Sequence, residues 1–538
     1  MSGVNIAEAW EAIARVQPDA DAVVRGEQRL TWREFDRRAN GIAARLLRAP
    51  GAEHQAKVAE YLHNAPEYLE TLYAAFKAGF VPVNTNYRYT DDELVYLWDN
   101  ADAAVVVFHA TFVPVIERIR DRLPKVGSWL WVDDGSEACP SWAEPLEDAA
   151  RAGTDEPVAG PWGRDGDDVI MLYTGGTTGA PKGTMWRQDD VFVSLNEAGV
   201  QPYDLSDGIE GIARQRKEKG LGPSAIPCCP LMHGTGLFIT IALLSIGGSA
   251  VLLEERTFDP VELFDTTERE KVNGITIVGD AFARPMVDAL DANPGRWDLS
   301  SLLIIYSSGV MFSEATKQAL LRHHPNMIIA DLLSSSEALG MAKSVSGGSR
   351  AASTATFTLS DKAIVLSDDG RILEAGSDEI GRIALGGRVP VGYYKDPERS
   401  ARTFPVVDGV RYSVPGDYAT IAADGTITLL GRGSVVINTG GEKVFPEEVE
   451  EAMKTYPGVR DAVAVGVPHP RFGESVTGIV ELDAGRTVDD AALVEHVKGR
   501  LAHYKAPRHV LVVDTIGRAA NGKVDYARLK ELATERLA

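Results

Sequence analysis

Val169-Ile-Met-Leu-Tyr-Thr-Gly-Gly-Thr-Thr-Gly-Ala-Pro-Lys-Gly183 is a short apolar run that breaks into a glycine-rich turn. The run is too short for a helix and is closed by glycines, so it reads as a buried strand handing the chain to a loop. The same texture recurs on both sides of it. Ala104–Phe108, Ser249–Leu253, Gly274–Val278 and Leu302–Tyr306 are apolar runs bounded by Gly, Asp, Pro or charged residues, with longer amphipathic segments between them. Upstream, Thr31 and Glu34 form a capping box ahead of a helix whose apolar positions Phe35, Ala39, Ile42 and Leu46 fall at helical spacing. Strands alternating with helices predict an α/β fold on one or two largely parallel sheets.

After about residue 360 the texture shifts to β-branched runs, and Asp-Gly at 369–370 and 424–425 predicts tight hairpins in a smaller β-rich region. From about Val435 the pattern is helix (Glu447 to Thr455), strand (Ala462 to Val467), strand (Val476 to Leu482) and helix (Asp489 to Ala502), an α+β unit compact enough to fold alone. The expected division is a large N-terminal domain, 1–431, with two sheet-bearing lobes and the β-rich subdomain, a junction at 432–434, and a C-terminal domain, 435–538.

Composition excludes several classes. A chain of 538 residues, 44% hydrophobic and 25% charged, is ordinary globular protein with room for three or four domain-sized units. A formal net charge of -22 repels polyanions, so a general nucleic-acid binder is excluded. Cys139, Cys228 and Cys229 cannot form a disulfide framework, which points to a reducing cytoplasm. The opening MSGVNIAEAWEAIARV has acidic residues and no basic head, unlike an export signal. The apolar stretch from Leu237 stops at Gly247, well short of the roughly 20 residues a membrane span needs. No integral membrane association is expected.

The turn itself carries chemistry. Thr174, Gly175, Gly176, Thr177, Thr178, Gly179 and Lys182 combine backbone amides that can approach an anion, hydroxyl donors and a mobile cation, which suits a polyphosphate. A flexible surface turn is the plainer reading. A Walker A loop is excluded, because Pro181 precedes Lys182 and Gly183 follows it.

Further strings follow in order: Pro230-Leu-Met-His233-Gly, Ser334-Ser-Ser-Glu337, Gly392-Tyr-Tyr-Lys-Asp-Pro397, Pro415-Gly-Asp417, Gly431-Arg432, Gly440-Gly-Glu-Lys-Val-Phe-Pro446 and Asn521-Gly-Lys523. Together with the turn they resemble the adenylate-forming superfamily of acyl- and aryl-CoA synthetases, nonribosomal adenylation domains and firefly luciferase, over nearly the whole chain. Gly183-Thr-Met-Trp-Arg187, Val278-Gly-Asp-Ala-Phe-Ala-Arg-Pro285 and GGEKVFPEEVE narrow the likeness to actinobacterial synthetases for fatty acids or steroid side chains.

That resemblance implies ATP, Mg2+ and CoA as cofactor and co-substrates, a carboxylic acid as substrate, and a mobile C-terminal domain. It implies that Lys523 bridges the carboxylate and the α-phosphate, that Glu337 with Thr178 holds magnesium, that Asp417 accepts from the ribose hydroxyls, and that Arg432 donates to the ribose or a phosphate. Ser336 would contact the α-phosphate, Gly309 and Val310 would line adenine, and Asp331 joins this nucleotide set. His233 would gate the acyl tunnel, Ser434 would be the hinge, and Gly440 and Gly441 would line the CoA channel. Taken alone, His233 beside glycine favours packing, while Lys523, Glu337 and Asp417 each read as surface or turn residues.

Two departures stand out. Leu333 replaces the aromatic that stacks on adenine in relatives, leaving apolar contact, and Ser434 replaces the usual Asp or Lys of the hinge. The basic run Arg214-Gln-Arg-Lys-Glu-Lys219 reads as a solvated loop, with attraction of CoA phosphate or weak peripheral lipid contact as the functional alternative. A homodimer is compatible with the sequence. The competing functions are an acyl-AMP ligase that loads a separate carrier protein, since only a short tail follows Lys523, and a decayed nucleotide-binding protein. No Gly-x-Ser-x-Gly elbow supports a hydrolase.

Overall fold

The capping box forms. Glu34 N donates to Thr31 Oγ1 at 3.2 Å and Thr31 N donates to Glu34 Oε2 at 3.0 Å, so the helix Trp32–Leu46 begins where two orphan donors are satisfied. This is a computed structural model, and it describes residues 3–175, 181–199, 202–348, 350–439, 442–519 and 522–537. Phe35, Ala39, Ile42 and Leu46 are buried, and their helix packs on Ile6–Val16 and Pro66–Ala78. These helices lie between two sheets: one apolar cluster draws Val23, Ala225 and Ala250 from the first sheet and Val58, Val105 and Trp186 from the second.

The eight-stranded sheet contains the strand that decided the fold. Val169–Thr174 pairs in parallel with Val81–Asn84 and antiparallel with Lys182–Arg187, so the strands on either side of the glycine-rich segment lie side by side. The fifteen-stranded sheet runs in parallel from Asp21–Arg25 through Ser249–Leu252, Ser224–Pro227, Gly274–Ile277 and Ile304–Ser308 to Ile328–Ser335. At Ser336-Glu337 the chain reverses, with Ser335 opposite Ala338, and the sheet continues antiparallel through Ala338–Gly347, Thr356–Leu359, Thr426–Arg432 and Asp417–Ile421. The β-rich region is therefore hydrogen-bonded into the parallel sheet as its extension. Asp424-Gly425 closes one of its hairpins, with Gly425 at φ 82° and Asp424 Oδ1 accepting from Thr426 N.

The large sheet's strand Thr426–Arg432 is followed by Ile437–Thr439, which belongs to a separate five-stranded sheet. Here the helix Pro446–Lys454, the strands Val459–His469 and Gly473–Leu482, and the helix Asp490–Lys498 lie close to the expected positions. The strand His509–Val513 and the helix Tyr526–Leu537 were not expected; the strand is short and gains its order from parallel pairing with Gly473–Leu482.

The basic run is not a loop. It lies in the helix Gly208–Lys219, where Arg216 is buried and donates to the carbonyls of Ile246 and Gly220, and Arg214 pairs with Asp207. Structural partners thus take up much of its charge. Among the described residues no helix is long and apolar enough to cross a membrane, and Cys139, Cys228 and Cys229 are free thiols.

Candidate active site

The site forms where loops of the two sheets meet. Thr174 and Lys182 face each other at the end of the strand pair Val169–Thr174 and Lys182–Arg187, and Tyr393, on a strand added to its edge, pairs with Thr184. From the other sheet the Ser336-Glu337 turn approaches them. Ser336 Oγ donates to Thr174 Oγ1 at 3.4 Å, and Trp186 Nε1 donates to the Ser336 carbonyl at 2.8 Å. Tyr393 Oη donates to Glu337 Oε1 at 2.7 Å, Ser413 Oγ donates to the Glu337 carbonyl at 2.6 Å, and Lys182 Nζ lies 5.2 Å over the Tyr393 ring.

The next hairpin adds the ribose candidates. Asp417 and Arg432 are cross-strand partners, and Arg432 Nε donates to Asp417 Oδ1 at 3.4 Å. Asp417 Oδ2 is buried without a protein partner, which leaves an acceptor for ligand hydroxyls.

The C-terminal unit completes the group. Gly522 holds φ at 71°, and a Cβ there would come within 3.1 Å of Ala281 and 3.3 Å of Val278 and Val310. That close fit carries Lys523 into the field of Glu337, Asp417, Arg432 and His233. Arg284 also donates to the Arg460 carbonyl of the small unit. His233 precedes the helix Gly234–Ser245, and Gly309 lies near Thr235 and Val278.

Electrostatics at the site favour a polyanion despite the acidic chain. Burial lowers the Lys523 pKa, although solvent still reaches part of the side chain; Arg432 lowers it further, and Glu337 and Asp417 oppose the shift. Burial and then Arg399 lower that of Lys182. In both cases burial is the larger cause and a neighbouring guanidinium the next, and a bound phosphate would oppose the shift. Burial, followed by the Lys523 charge, holds His233 down at about 3, so its imidazole is neutral at pH 7.

Several expectations end differently. Asp331 is buried on its strand with its carboxylate 3.2 Å from Lys317, itself 1% exposed, so within the protein that carboxylate is engaged in an ion pair. Leu333 packs with Met341, Phe357 and Ile421, so its apolar surface is spent on the core. Gly176, Thr177, Thr178, Gly179, Gly440 and Gly441 lie outside the described residues. Ser434 sits in a short turn, Gly433–Val435, and its backbone alone is described. Sequence reasoning missed Tyr393 and Trp186 as supports of the Glu337 turn. Both lie inside strings already quoted, but nothing in their spacing says what they touch.

Among the described residues no three His, Cys, Asp or Glu side chains could cage a metal. Glu337 offers a single carboxylate, with one oxygen steadied by Tyr393, among cations suited to phosphate. That donor set fits Mg2+ shared with phosphate oxygens and water.

The pattern described as AMP-binding enzyme matches residues 10–394, and the AMP-binding enzyme C-terminal domain matches residues 448–523. A medium/long-chain-fatty-acid and 3-oxocholest-4-en-26-oate CoA ligase of Mycolicibacterium smegmatis is 38% identical over 99% of this chain and 97% of its own length. A 3-oxocholest-4-en-26-oate CoA ligase of Rhodococcus rhodochrous is also 38% identical, over 98% of this chain and 96% of its own. In fold, the chain superposes on an anthranilate CoA ligase in complex with anthranoyl-AMP with TM-score 0.83 at 20% identity, covering 100% of this chain and 98% of the other. With both halves matched, this chain belongs to the AMP-binding enzyme family.

Proposed function

We propose that the protein is an ATP-dependent acyl-CoA synthetase for fatty or steroid side-chain carboxylic acids. The observation that carries this reading is the arrival of Lys523, on the small C-terminal unit, beside Glu337, Asp417, Arg432 and His233. The domains are 1–431 and 435–538, joined by a hinge at 432–434.

In the first half-reaction a substrate carboxylate oxygen attacks the α-phosphorus. A C–O–P linkage forms, the bond from that phosphorus to the bridging oxygen breaks, and pyrophosphate leaves. Asp417 Oδ2 accepts from the ribose hydroxyls and Arg432 donates beside it. Thr174, Ser336, Lys182 and the intervening turn, including Thr177 and Thr178, hold the phosphates. Lys523 donates to the carboxylate and the α-phosphate as they approach, offsetting the repulsion between two anions. Glu337, with Thr178, would hold Mg2+, which supplies charge neutralisation for the phosphate oxygens when bound. The neutral His233 borders the acyl group without placing a second positive charge against it.

In the second half-reaction the C-terminal domain turns about Ser434, Lys523 withdraws, and the Gly440-Gly441 segment opens a path for CoA. The thiol loses its proton to solvent, its sulfur bonds to the acyl carbon, the C–O bond breaks, and AMP leaves. One cleft cannot hold both reacting geometries at once, and a two-state hinge resolves the conflict. The three free thiols support a cytoplasmic setting.

The test is a panel of short, long, aromatic and steroidal acids, read by pyrophosphate–ATP exchange and by CoA-dependent AMP release. Exchange together with thioester is expected for long apolar acids. Exchange with adenylate left standing in the presence of CoA would refute the thioester step, and no exchange with any acid would refute the whole reading.

A further inference from the structure

Between Arg432 and Ile437 the chain leaves the large sheet for the small one, and one side chain of the small unit reaches back across that turn. Glu447, in the first turn of the helix Pro446–Lys454, lays its carboxyl group against the strand end Gly431-Arg432. Arg432 N donates to Glu447 Oε1 at 3.4 Å, while Glu447 Oε2 is sealed from solvent with no hydrogen-bond partner. A Cβ on Gly431 would fall inside this carboxyl group, and Gly431 holds φ at 117°, so glycine provides both the space and the backbone conformation the glutamate needs. Beside it the Phe445 and Tyr418 rings meet at 5.5 Å across the same junction.

Arg432 favours a negative charge here, but burial and the neighbouring carboxylates outweigh it. Glu450 faces Glu447 from its own helix, Asp417 and Arg432 face it from the large-sheet hairpin, and Tyr526 faces it from the last helix; Lys454 and Arg518 stand behind Glu450. Burial first, then the neighbouring Glu450 carboxylate, pushes the Glu447 carboxyl up to about 8. An unpartnered Oε2 is where a proton would sit.

Resting on the two-state reading above, we propose that Glu447 is a positioning residue for the adenylation half-reaction. Its protonated carboxyl seats the C-terminal domain on Gly431-Arg432, keeping Arg432 and Asp417 in register beneath the Lys523 loop, and its ionisation loosens that seat for the thioester half-reaction. When the domain turns away, Glu447 meets water and returns to the ordinary carboxylate range. Seating therefore takes up one proton from solvent wherever the pH lies between the two values. Rising pH opposes seating by up to about tenfold per pH unit, and the effect ends above the seated value.

The experiment measures both half-reactions from pH 6.5 to 9: acid-dependent pyrophosphate–ATP exchange, and thioester formation from supplied acyl-adenylate and CoA. In the wild type the ratio of exchange to thioester formation falls as the pH rises, and Lys523 contributes part of that fall. Glu447→Gln keeps the shape and an acceptor for the Arg432 amide but is neutral throughout, so its ratio falls less steeply. Glu447→Ala removes the seat and lowers exchange at every pH. Trypsin cleavage after Arg432 or Lys443 reads the same seat without activity: it speeds up with pH in the wild type relative to Glu447→Gln. Equal slopes in the wild type and Glu447→Gln, or equal cleavage at every pH, would overturn the proposal while leaving the ligase reading intact. Absence of exchange with pH-dependent cleavage retained would overturn the ligase reading and support the seat.

Discussion

Gly522→Ala separates the strain stored in the C-terminal unit from the contact that seats it. Gly522 holds φ at 71°, where a residue with a Cβ costs about 1–2 kcal/mol. That cost follows the small domain whichever way it faces, so it lowers stability without distinguishing the half-reactions. The added Cβ also meets Ala281 at 3.1 Å and Val278 and Val310 at 3.3 Å, inside the roughly 3.5–4.0 Å at which carbon atoms attract. Overpacking of this kind costs about 1–3 kcal/mol, and it applies only while the loop is inserted. At about 1.36 kcal/mol per tenfold, adenylation should slow by about 5- to 150-fold. Thioester formation from supplied acyl-adenylate should change little. The assay is the same pair of half-reactions, with urea unfolding to read the strain. Ala281→Gly removes the nearest obstacle, so the double variant Ala281→Gly/Gly522→Ala should recover part of the adenylation rate and none of the backbone strain. Equal losses in both half-reactions, or no recovery in the double variant, would refute the argument that this contact seats the catalytic loop.

Lys523→Ala removes a preorganised donor and should lower pyrophosphate exchange by about 100- to 1,000-fold, sparing thioester formation from supplied adenylate; equal loss of both would show that the role is misassigned. Tyr393→Phe deletes the 2.7 Å hydrogen bond to Glu337, worth about 1.5–3 kcal/mol to a charged acceptor. Exchange should fall about tenfold or more at limiting Mg2+ and recover partly as Mg2+ is raised; an unchanged magnesium dependence would remove Tyr393 as the support of that carboxylate. Asp331, raised by burial to about 6, binds its proton more tightly folded than unfolded. Its contribution to stability is present below about pH 4 and lost as pH rises through about 6, by about 3 kcal/mol at most. Urea unfolding should show this decline in the wild type and not in Asp331→Asn, and parallel pH curves would contradict the burial argument.

Short-range physics made much of the fold legible in the sequence. The Thr31–Glu34 cap, the Asp424-Gly425 turn and the apolar run Val169–Thr174 each act within a few residues, so spacing and residue type suffice to read them. The basic run was misread because Arg216 looks like a solvated charge until the carbonyls of Ile246 and Gly220 are seen to hold it. The continuity of the β-rich region with the parallel sheet was hidden for a related reason, since strand neighbours far apart in sequence leave no periodic mark.

The candidate site divides in the same way. The family resemblance carried by motif order along the chain implied Lys523, Glu337, Asp417, Arg432 and Lys182 as candidates, because a match of motifs is legible in one dimension. Tertiary structure alone decided that Asp331 answers Lys317, that Tyr393 steadies Glu337, and that Glu447 rests on a glycine of the opposite unit. Each of these depends on where a side chain points after distant segments have packed, and a linear order of residues carries no direction in space.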